Sequence, residues 1–349
     1  MNRRVVFLAL LPILFPIQTA WAERSLEGFG ASTQGGADGS SYVVTSLADS
    51  GPGTFRDAVS SSDRTVTFAV EGIVELESTI RIVTDNLTID GSTAPGSGVT
   101  ITAAHEGVTG ALLEIRGCHD IILRHVRIAD APDAQAGDNL RIWDGAYNVV
   151  VDHCSFRRAG DGNIDICVDA HDITIQWSIL ADTVKNSLIR TGLRNISIHH
   201  NLFIRGDERN PQLDDAASVD IVNNVIAHWS TNYGMRIRNG ASANIVKNVF
   251  LAGPGSDTGS AVVIEGDAGH VYMEGNALPA SCQTDGTAAE RLPAPPVTEA
   301  STEEVLEDVT GGAGARPLDQ DDRDYIAEIV ESPVVPASWG HIKAMYMTG

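Results

Sequence analysis

Short apolar runs recur along the middle of the chain at almost one interval. They end at Phe156, Ile179, Phe203, Ile226 and Phe250, which are 23, 24, 23 and 24 residues apart. The runs are rich in β-branched residues, are broken by Gly, Asn and Asp, and lack a helical period. A fixed period of this size is typical of a repeat architecture. We therefore predict an all-β fold, a parallel β-helix that is right-handed because parallel crossovers strongly favour that hand.

Asparagine recurs with the same period near the ends of three later runs. Asn201, Asn224 and Asn248 are 23 and 24 residues apart, and each stands two residues before the end of its apolar run. Asparagines at one bend of successive coils can hydrogen-bond to each other through their amide groups. We therefore predict an asparagine ladder that supports the fold, in preference to a binding role for these residues.

The 23–24-residue period is absent near both ends of the predicted rod. Residues 50–59 predict a short N-terminal helix that caps the first coil, which would otherwise expose an unpaired edge. After residue 278 the chain becomes linker-like, then Ser301 and Glu304 form a capping box for a short helix. A second helix is predicted over 319–331, with an apolar stripe. We predict a β-helical catalytic domain over 23–278 and a helical tail over 279–349 that packs on it.

The first 22 residues predict a secretory signal peptide. Arg3 and Arg4 precede an apolar run, and Ala20-Trp21-Ala22 resembles a cleavage site. The run is short and contains two prolines, so a membrane anchor is the weaker interpretation. We expect a secreted protein without a membrane partner, and the sequence leaves extracellular and periplasmic locations open.

Charge and cysteine content narrow the possible partners. The formal net charge is −22, which excludes nucleic-acid binding through a basic face. There are four cysteines, and none forms a CxxC pair, so a zinc site is not expected. Cys154 lies where later coils have Ser or Asn, which favours a buried thiol, and no disulfide pairing can be assigned. We expect a monomer.

Four charged residues follow the same period as the apolar runs. Asp138, Asp161, Lys185 and Arg209 are separated by 23, 24 and 24 residues. Residues one period apart would lie on neighbouring coils, about 4.8 Å apart. We therefore predict that they form one charged column on the outside of the rod. Such a column is costly to assemble by chance, so we interpret it as a functional site.

The segment 161–169 is expected to alternate between the two faces of a strand. The side chains predicted to point inward are Ile164, Ile166 and Val168. Those predicted to point outward are Asp161, Asn163, Asp165 and Asp169. Carboxylates that converge repel each other unless a cation intervenes, and oxygen-only ligands suit Ca²⁺. We predict that Asp138, Asp161 and Asp165 bind Ca²⁺; the alternative is solvated aspartates beside strand turns.

The two cations beyond this site predict an acidic substrate. Lys185 and the metal would hold a carboxylate, and Arg209 would reach the carbon next to it. This arrangement suits proton abstraction α to the carboxylate followed by β-elimination, because cations stabilise the enolate-like charge. Further arginines either bind neighbouring carboxylates of a polymer or are plain surface charges. These are Arg190, Arg194, Arg236 and Arg238.

Several segments resemble the pectate lyases of polysaccharide lyase family one. VVVDH (149–153) is similar to the family's VWIDH segment, and GDNLRI (137–142) and DGNID (161–165) resemble its calcium-binding segments. The resemblance implies that Asp138, Asp161 and Asp165 are calcium ligands. It also implies that Lys185, in VKNSL, is a catalytic residue. Arg209, in RNPQL, would be the Brønsted base of the RxPxxR segment. The implied function is calcium-dependent β-elimination of α-1,4-linked polygalacturonate (pectate), which yields unsaturated oligogalacturonides.

The chain departs from the family pattern at two places. The second arginine of RxPxxR falls on Asp214, and the loop after VVVDH is reduced to about RRAG (157–160). Lys185 remains the alternative base. The alternative functions are a non-catalytic carbohydrate-binding or surface β-helix, and a lyase of methylated pectin or of another acidic polysaccharide. The preferred degree of esterification, the effect of Asp214, and endo or exo action stay open.

Overall fold

The computed structural model describes residues 24–132 and 137–331. The predicted signal peptide lies outside these ranges. Within them, no helix is both long and apolar enough to cross a membrane.

Twenty-three strands, three α-helices and short 3₁₀ helices at Gly28–Gly30, Gly91–Thr93 and Thr258–Ser260 make up the regular structure of these ranges. The strands of the first half are β1 (Ser40–Val44), β2 (Arg64–Phe68), β3 (Gly72–Leu76), β4 (Ile80–Ile82), β5 (Leu87–Asp90), β6 (Val99–Ala103), β7 (Leu113–Arg116), β8 (His119–Arg124), β9 (Arg127–Ala129), β10 (Leu140–Trp143), β11 (Tyr147–Asp152) and β12 (Ser155–Arg157). The later strands are β13 (Gly162–Cys167), β14 (His171–Gln176), β15 (Ile179–His199), β16 (Leu202–Glu208), β17 (Gln212–Val222), β18 (Val225–Ala227), β19 (Met235–Arg238), β20 (Ala243–Val246), β21 (Val249–Leu251), β22 (Val262–Ile264) and β23 (Val271–Glu274). The helices are α1 (Phe55–Ala58), α2 (Val305–Gly312) and α3 (Gln320–Glu331).

Every strand pairing between these elements is parallel, and each strand pairs with the strand one coil away. The pairings form three stacks of strands along the rod. The first stack contains β4, β7, β10, β13, the middle of β15, the start of β17, β19 and β22. The second contains β1, β2, β5, β8, β11, β14, the ends of β15 and β17, β20 and β23. The third contains β3, β6, β9, β12, the start of β15, β16, β18 and β21. The prediction of a parallel β-helix is confirmed.

The core lies inside the rod because alternate residues of each strand point inward. In the first stack, Ile115, Ile142, Ile166 and Ile189 pair in register from coil to coil. All four are fully buried. One continuous apolar cluster therefore runs through successive coils, and each coil buries the one below it.

The alternation predicted for 161–169 is wrong at two positions. Asn163 was expected outside and is fully buried, whereas Val168 was expected inside and is 37% exposed. β13 ends at Cys167, and Val168 has a φ of 51°, so the chain has already turned out of the strand. Asn163 turns inward because a second ladder of buried amides takes its side chain.

The predicted asparagine ladder is present in the bend between the second and the third stack. Asn201 donates to Asn224 at 3.0 Å, Asn224 to Asn248 at 2.9 Å, and Asn248 to Asn276 at 3.1 Å. These bonds satisfy buried amides from coil to coil, which confirms the structural interpretation.

A second ladder, not predicted from the sequence, lies in the bend between the third and the first stack. It runs from Asn139 through Asn163 and Asn186 to Asn210, with donor–acceptor distances of 2.7, 2.9 and 2.9 Å. Gly206 leaves room for it, since an added Cβ there would lie 2.2 Å from the Asn210 side-chain oxygen. This ladder holds the bend in place, and Asp138, Lys185 and Arg209 are the immediate sequence neighbours of three of its asparagines.

The predicted N-terminal and C-terminal helices are present and pack on the rod. In α1, Phe55 and Ala58 are fully buried in the core. α3 buries an apolar stripe against the third stack, and the predicted stripe is confirmed. The residues of this stripe are Tyr325, Ile326, Ile329 and Val330. The four cysteines are free thiols, and Cys154 is fully buried as expected.

Candidate active site

Acidic side chains converge on the outward face of the first stack, beside β10 and β13. Asp138 is fully buried and accepts a hydrogen bond from the Gly162 backbone N–H at 3.0 Å. Its other carboxylate oxygen accepts from Arg141 Nε at 3.0 Å and also contacts Arg141 Nη2. Burial raises the pKa of Asp138 above its ordinary value despite this arginine.

Asp138 and Asp165 approach each other over Gly162. A Cβ added to Gly162 would lie 2.6 Å from Asp165 Oδ1 and 3.1 Å from Asp138 Oδ1. The absence of a side chain there lets the two carboxylates share one small space. Burial, followed by the nearby Asp138, raises the pKa of Asp165 to about 7. The two carboxylates therefore repel each other in this arrangement.

Asp161 is held by a cation of the protein. Lys185 Nζ lies 2.7 Å from Asp161 Oδ1, with the lysine side chain 35% exposed. The register pairs Gly162 with Lys185, and Lys185 with Glu208. Asp161 and Arg209 thus each lie one residue beside the predicted column, and the single-column prediction is corrected. The physical reason is that the coils differ by one residue in length, and a turn with a φ of 63° at Arg209 absorbs the difference.

Arg209 follows β16, at the turn that leads into β17. Its side chain is 19% exposed, and its Nε lies 3.8 Å from Glu208 Oε1. The Arg209 carbonyl accepts a hydrogen bond from the Ser187 N–H at 2.8 Å, which ties the turn to the preceding coil. Glu208 is thus a carboxylate beside the predicted base. Glu208 was not predicted from the sequence as a site residue, although it directly precedes Arg209.

Three of the four additional arginines lie on this same face. Arg190, Asp214 and Arg238 pair in register on successive coils. Arg238 Nε and Nη2 donate to Asp214 Oδ2 at 3.0 and 2.6 Å, and Asn239 donates to its other oxygen at 2.6 Å. Asp214 therefore orients Arg238, which occupies the next coil.

The remaining arginines are Arg236, which is the third on this face, and Arg194, which is not on it. Arg236 pairs in register with Gln212 and donates to Glu265 at 2.6 Å. Arg194 lies in the second stack, where it pairs in register with His171. The structure therefore brings Arg236 to the charged side of the first stack and separates Arg194 from it.

The fit of a metal ion can be tested on these contacts. Within residues 24–132 and 137–331, no three His, Cys, Asp or Glu side chains are close enough to hold a metal ion as they stand. Asp138 and Asp165 converge, whereas Asp161 is turned toward Lys185. An all-oxygen set of this kind fits Ca²⁺ that takes its remaining ligands from elsewhere. The calcium assignment of the three aspartates stays a prediction.

Two further residues, Arg141 and Glu114, belong with Asp138, Asp161 and Asp165 to what we call the acidic cluster, and neither was predicted from the sequence. Arg141 pairs in register with Glu114 on one side and Asp165 on the other. Glu114 is 4% exposed, and Arg81 Nε lies 2.8 Å from its Oε2. Arg141 stands within GDNLRI, only three residues after Asp138, so its proximity could have been suspected. Glu114 lies a full coil earlier and carries no such local signal.

Comparison with known proteins gives a consistent family. Residues 13–297 match the family model described as pectate lyase. The chain is 34% identical over 284 residues to a probable pectate lyase C of Aspergillus terreus, which covers 79% of this chain and 65% of that relative. The chain thus spans less than two thirds of that relative's length.

Two solved structures share the fold at low sequence identity. The major cedar pollen allergen jun a 1 superposes with a TM-score of 0.69 at 18% identity, covering 83% of this chain and 92% of the allergen. A pectate lyase from Bacillus sp. N165 in complex with trigalacturonate gives a TM-score of 0.57 at 18% identity, covering 83% and 98%.

Proposed function

The chain belongs to the pectate lyase family, and we propose that it cleaves α-1,4-linked polygalacturonate by calcium-dependent β-elimination. The products would be unsaturated oligogalacturonides. The name of the Aspergillus terreus relative and the trigalacturonate bound to the Bacillus enzyme support this substrate class.

One observation carries the proposal. The convergence of Asp138 and Asp165 over Gly162 lies beside the Lys185–Asp161 ion pair, with Arg209 beyond it on the rod. A rigid stack of strands holds these groups, so little reorganisation is needed when charge develops on the substrate.

The proposed reaction begins with loss of the proton on the carbon next to the uronate carboxylate. Arg209 accepts this proton, with Lys185 as the alternative base. The C–H electron pair then forms a carbon–carbon double bond as the bond to the leaving sugar oxygen breaks. That oxygen takes up a proton from solvent and Arg209 returns its proton to solvent, so atoms and charge balance over the cycle. Lys185, Arg190 and Arg238 bind carboxylates of the polymer.

The metal has a limited part in this scheme. Asp138, Asp161 and Asp165 would hold Ca²⁺, which would supply positive charge to stabilise the enolate-like species. All other contacts come from the chain itself.

Glu208 adds a constraint on the base. Its carboxylate lies 3.8 Å from Arg209 Nε, so it adds negative charge beside the proposed base. Arginine side chains in general are protonated at neutral pH, and proton abstraction needs a neutral guanidine. We expect activity to increase well into the alkaline range.

The predicted signal peptide supports action outside the cytoplasm. Polygalacturonate is a large polymer, so an enzyme that degrades it must meet it outside the cell membrane. We propose that the mature enzyme is exported.

The test is incubation of the mature protein with polygalacturonate and Ca²⁺. The ultraviolet absorbance of the unsaturated product is followed, with a chelator and methylated pectin as parallel samples. Rising absorbance that the chelator abolishes supports the proposal. Activity that survives chelation rejects the calcium requirement. Polymer binding without any absorbance change indicates the non-catalytic alternative.

A further inference from the structure

Arg141 occupies the centre of the acidic cluster. It pairs in register with Glu114 and Asp165 on the neighbouring coils, and its guanidinium contacts Asp138 through Nε at 3.0 Å and through Nη2. Its side chain is 26% exposed, whereas that of Asp138 is 0% exposed. The guanidinium thus closes the cluster from the solvent side.

The contacts of the three aspartates are unequal. Asp138 uses one oxygen for the Gly162 N–H and the other for Arg141. Asp161 is paired with Lys185. Asp165 accepts the Leu188 N–H at 3.1 Å and forms no salt bridge within the described residues. Two of the three carboxylates therefore already have a cation from the chain.

A buried carboxylate strongly requires a compensating charge. Asp138 Oδ2 is the oxygen that remains after the Gly162 N–H has used Oδ1, and the guanidinium fork is directed at it. An ion placed between Asp138 and Asp165 would sit against a guanidinium of the same sign. The metal and the Arg141 guanidinium carry charge of the same sign, so each weakens the binding of the other to the single Asp138 carboxylate.

We propose that Arg141 is the resident counter-ion of this site and competes with a divalent cation for Asp138. The proposal rests on the calcium assignment under the proposed function. When the metal is bound, the partly exposed guanidinium is released toward the substrate side, where a uronate carboxylate can accept it. Metal and polymer binding are then positively coupled, and the metal binds weakly in the absence of polymer.

The experiment measures calcium binding by the apo protein without substrate. Arg141→Gln removes the charge and keeps a hydrogen-bond donor. Calorimetric titration with Ca²⁺ should show about tenfold tighter binding than wild type. Without Ca²⁺ the variant should unfold at a lower temperature, because Asp138 is left without a cation, and added Ca²⁺ should restore most of the loss.

Arg81→Gln is the matched control. Arg81 and Arg141 both pair in register with Glu114, from opposite sides, and the Arg81 side chain is 59% exposed. It tests whether the loss of one positive charge is enough to tighten binding. Calcium affinity should stay near wild type in this variant. An equal gain in both variants overturns the proposal.

Arg141→Lys keeps the charge and should fold even if the glutamine variant does not. One ammonium cannot reproduce the two-nitrogen contact, so its calcium affinity should lie between those of wild type and Arg141→Gln. Folded Arg141 variants that bind Ca²⁺ no more tightly than wild type reject the proposal. If wild type also lacks lyase activity at saturating Ca²⁺, the proposed function fails instead.

Discussion

Arginines meet aspartates on the outside of the rod in two regions that differ in how completely the charges are paired. The first is the C-terminal anchor, defined here as Asp319 and α3 with the arginines they contact. Arg157 is 7% exposed there and lies 2.6 Å from Asp319 and 2.9 Å from Asp321. Arg127 is 2% exposed and lies 3.2 Å from Asp319. The two guanidinium groups are buried under the tail, and each pairs with a carboxylate of the tail.

The second region is the charged face of the first stack. Asp138 and Asp165 converge on each other, and Asp165 forms no salt bridge within the described ranges. Lys185 and Arg209 remain 35% and 19% exposed. The carboxylates are thus only partly compensated, and the two cations remain partly accessible to a ligand.

The pKa values of Asp319 and Asp165 differ in the same sense, although the pKa of Asp322 in the anchor is raised as that of Asp165 is. Burial alone would raise the pKa of Asp319, but the Asp322 N–H and Arg157 outweigh it, so the pKa is lowered. At Asp165, burial and Asp138 act in the same direction and raise the pKa to about 7. Complete pairing indicates a structural role, whereas incomplete pairing on a rigid frame indicates a site.

The largest expected effect is on catalysis. Arg209→Lys keeps the charge but loses the reach and the planar fork, so turnover on polygalacturonate should fall about 10²–10⁴-fold. Folding and calcium binding should persist. Arg205→Lys is the matched control, because Arg205 lies on the same coil but pairs with Glu328 of α3. Near-wild-type turnover of Arg209→Lys would transfer the role of base to Lys185.

The next effect is on stability. Arg157→Met should lower the free energy of unfolding by about 3–5 kcal/mol, because it removes a buried guanidinium from Asp319 and Asp322 and leaves only Arg127 to compensate them. Arg158→Met should cost about 0–1 kcal/mol, since Arg158 is 38% exposed and its partners Asp130 and Asp321 are half-exposed. Chemical denaturation measures both, and turnover of the folded fraction should be unchanged. Equal losses in the two variants would contradict the distinction between sealed and exposed pairs.

The smallest effect is a pH dependence within the anchor. Burial, followed by the nearby Asp319, raises the pKa of Asp322 to about 6. Native Asp322 therefore binds its proton between about pH 4 and 6, where the unfolded carboxyl has lost it, so its contribution to stability falls as pH rises through this window. Asn cannot titrate. The stability of Asp322→Asn relative to wild type should increase by about 2–3 kcal/mol from pH 4 to 7. A difference that stays constant over this range would contradict the assignment.

Much of the fold could be predicted because it depends on period. The spacing of 23 or 24 residues identified the parallel β-helix, and Asn201, Asn224 and Asn248 identified one ladder. The apolar stripe of α3 was also readable. These features are local or strictly repeated, so the chain itself carries them.

The candidate site was only partly readable from the sequence. The period brought Asp161 and Lys185 together, and their side chains do form an ion pair. The same reasoning placed Asn163 outside and Val168 inside, and both positions are reversed. Strand alternation fails there because a buried amide ladder and a left-handed turn decide the direction of these side chains.

The sequence by itself determined which residues recur on neighbouring coils. Only the tertiary structure decided which charges neutralise each other. Arg157, the last residue of β12, is paired with Asp319, which lies 162 residues later and directly before α3. Arg141 looked like an ordinary strand residue until the register placed it against Glu114 and Asp165. Period fixes the spacing of side chains, but burial and the direction of each charged group depend on what packs over them, because the energy of a charge is set by its surroundings.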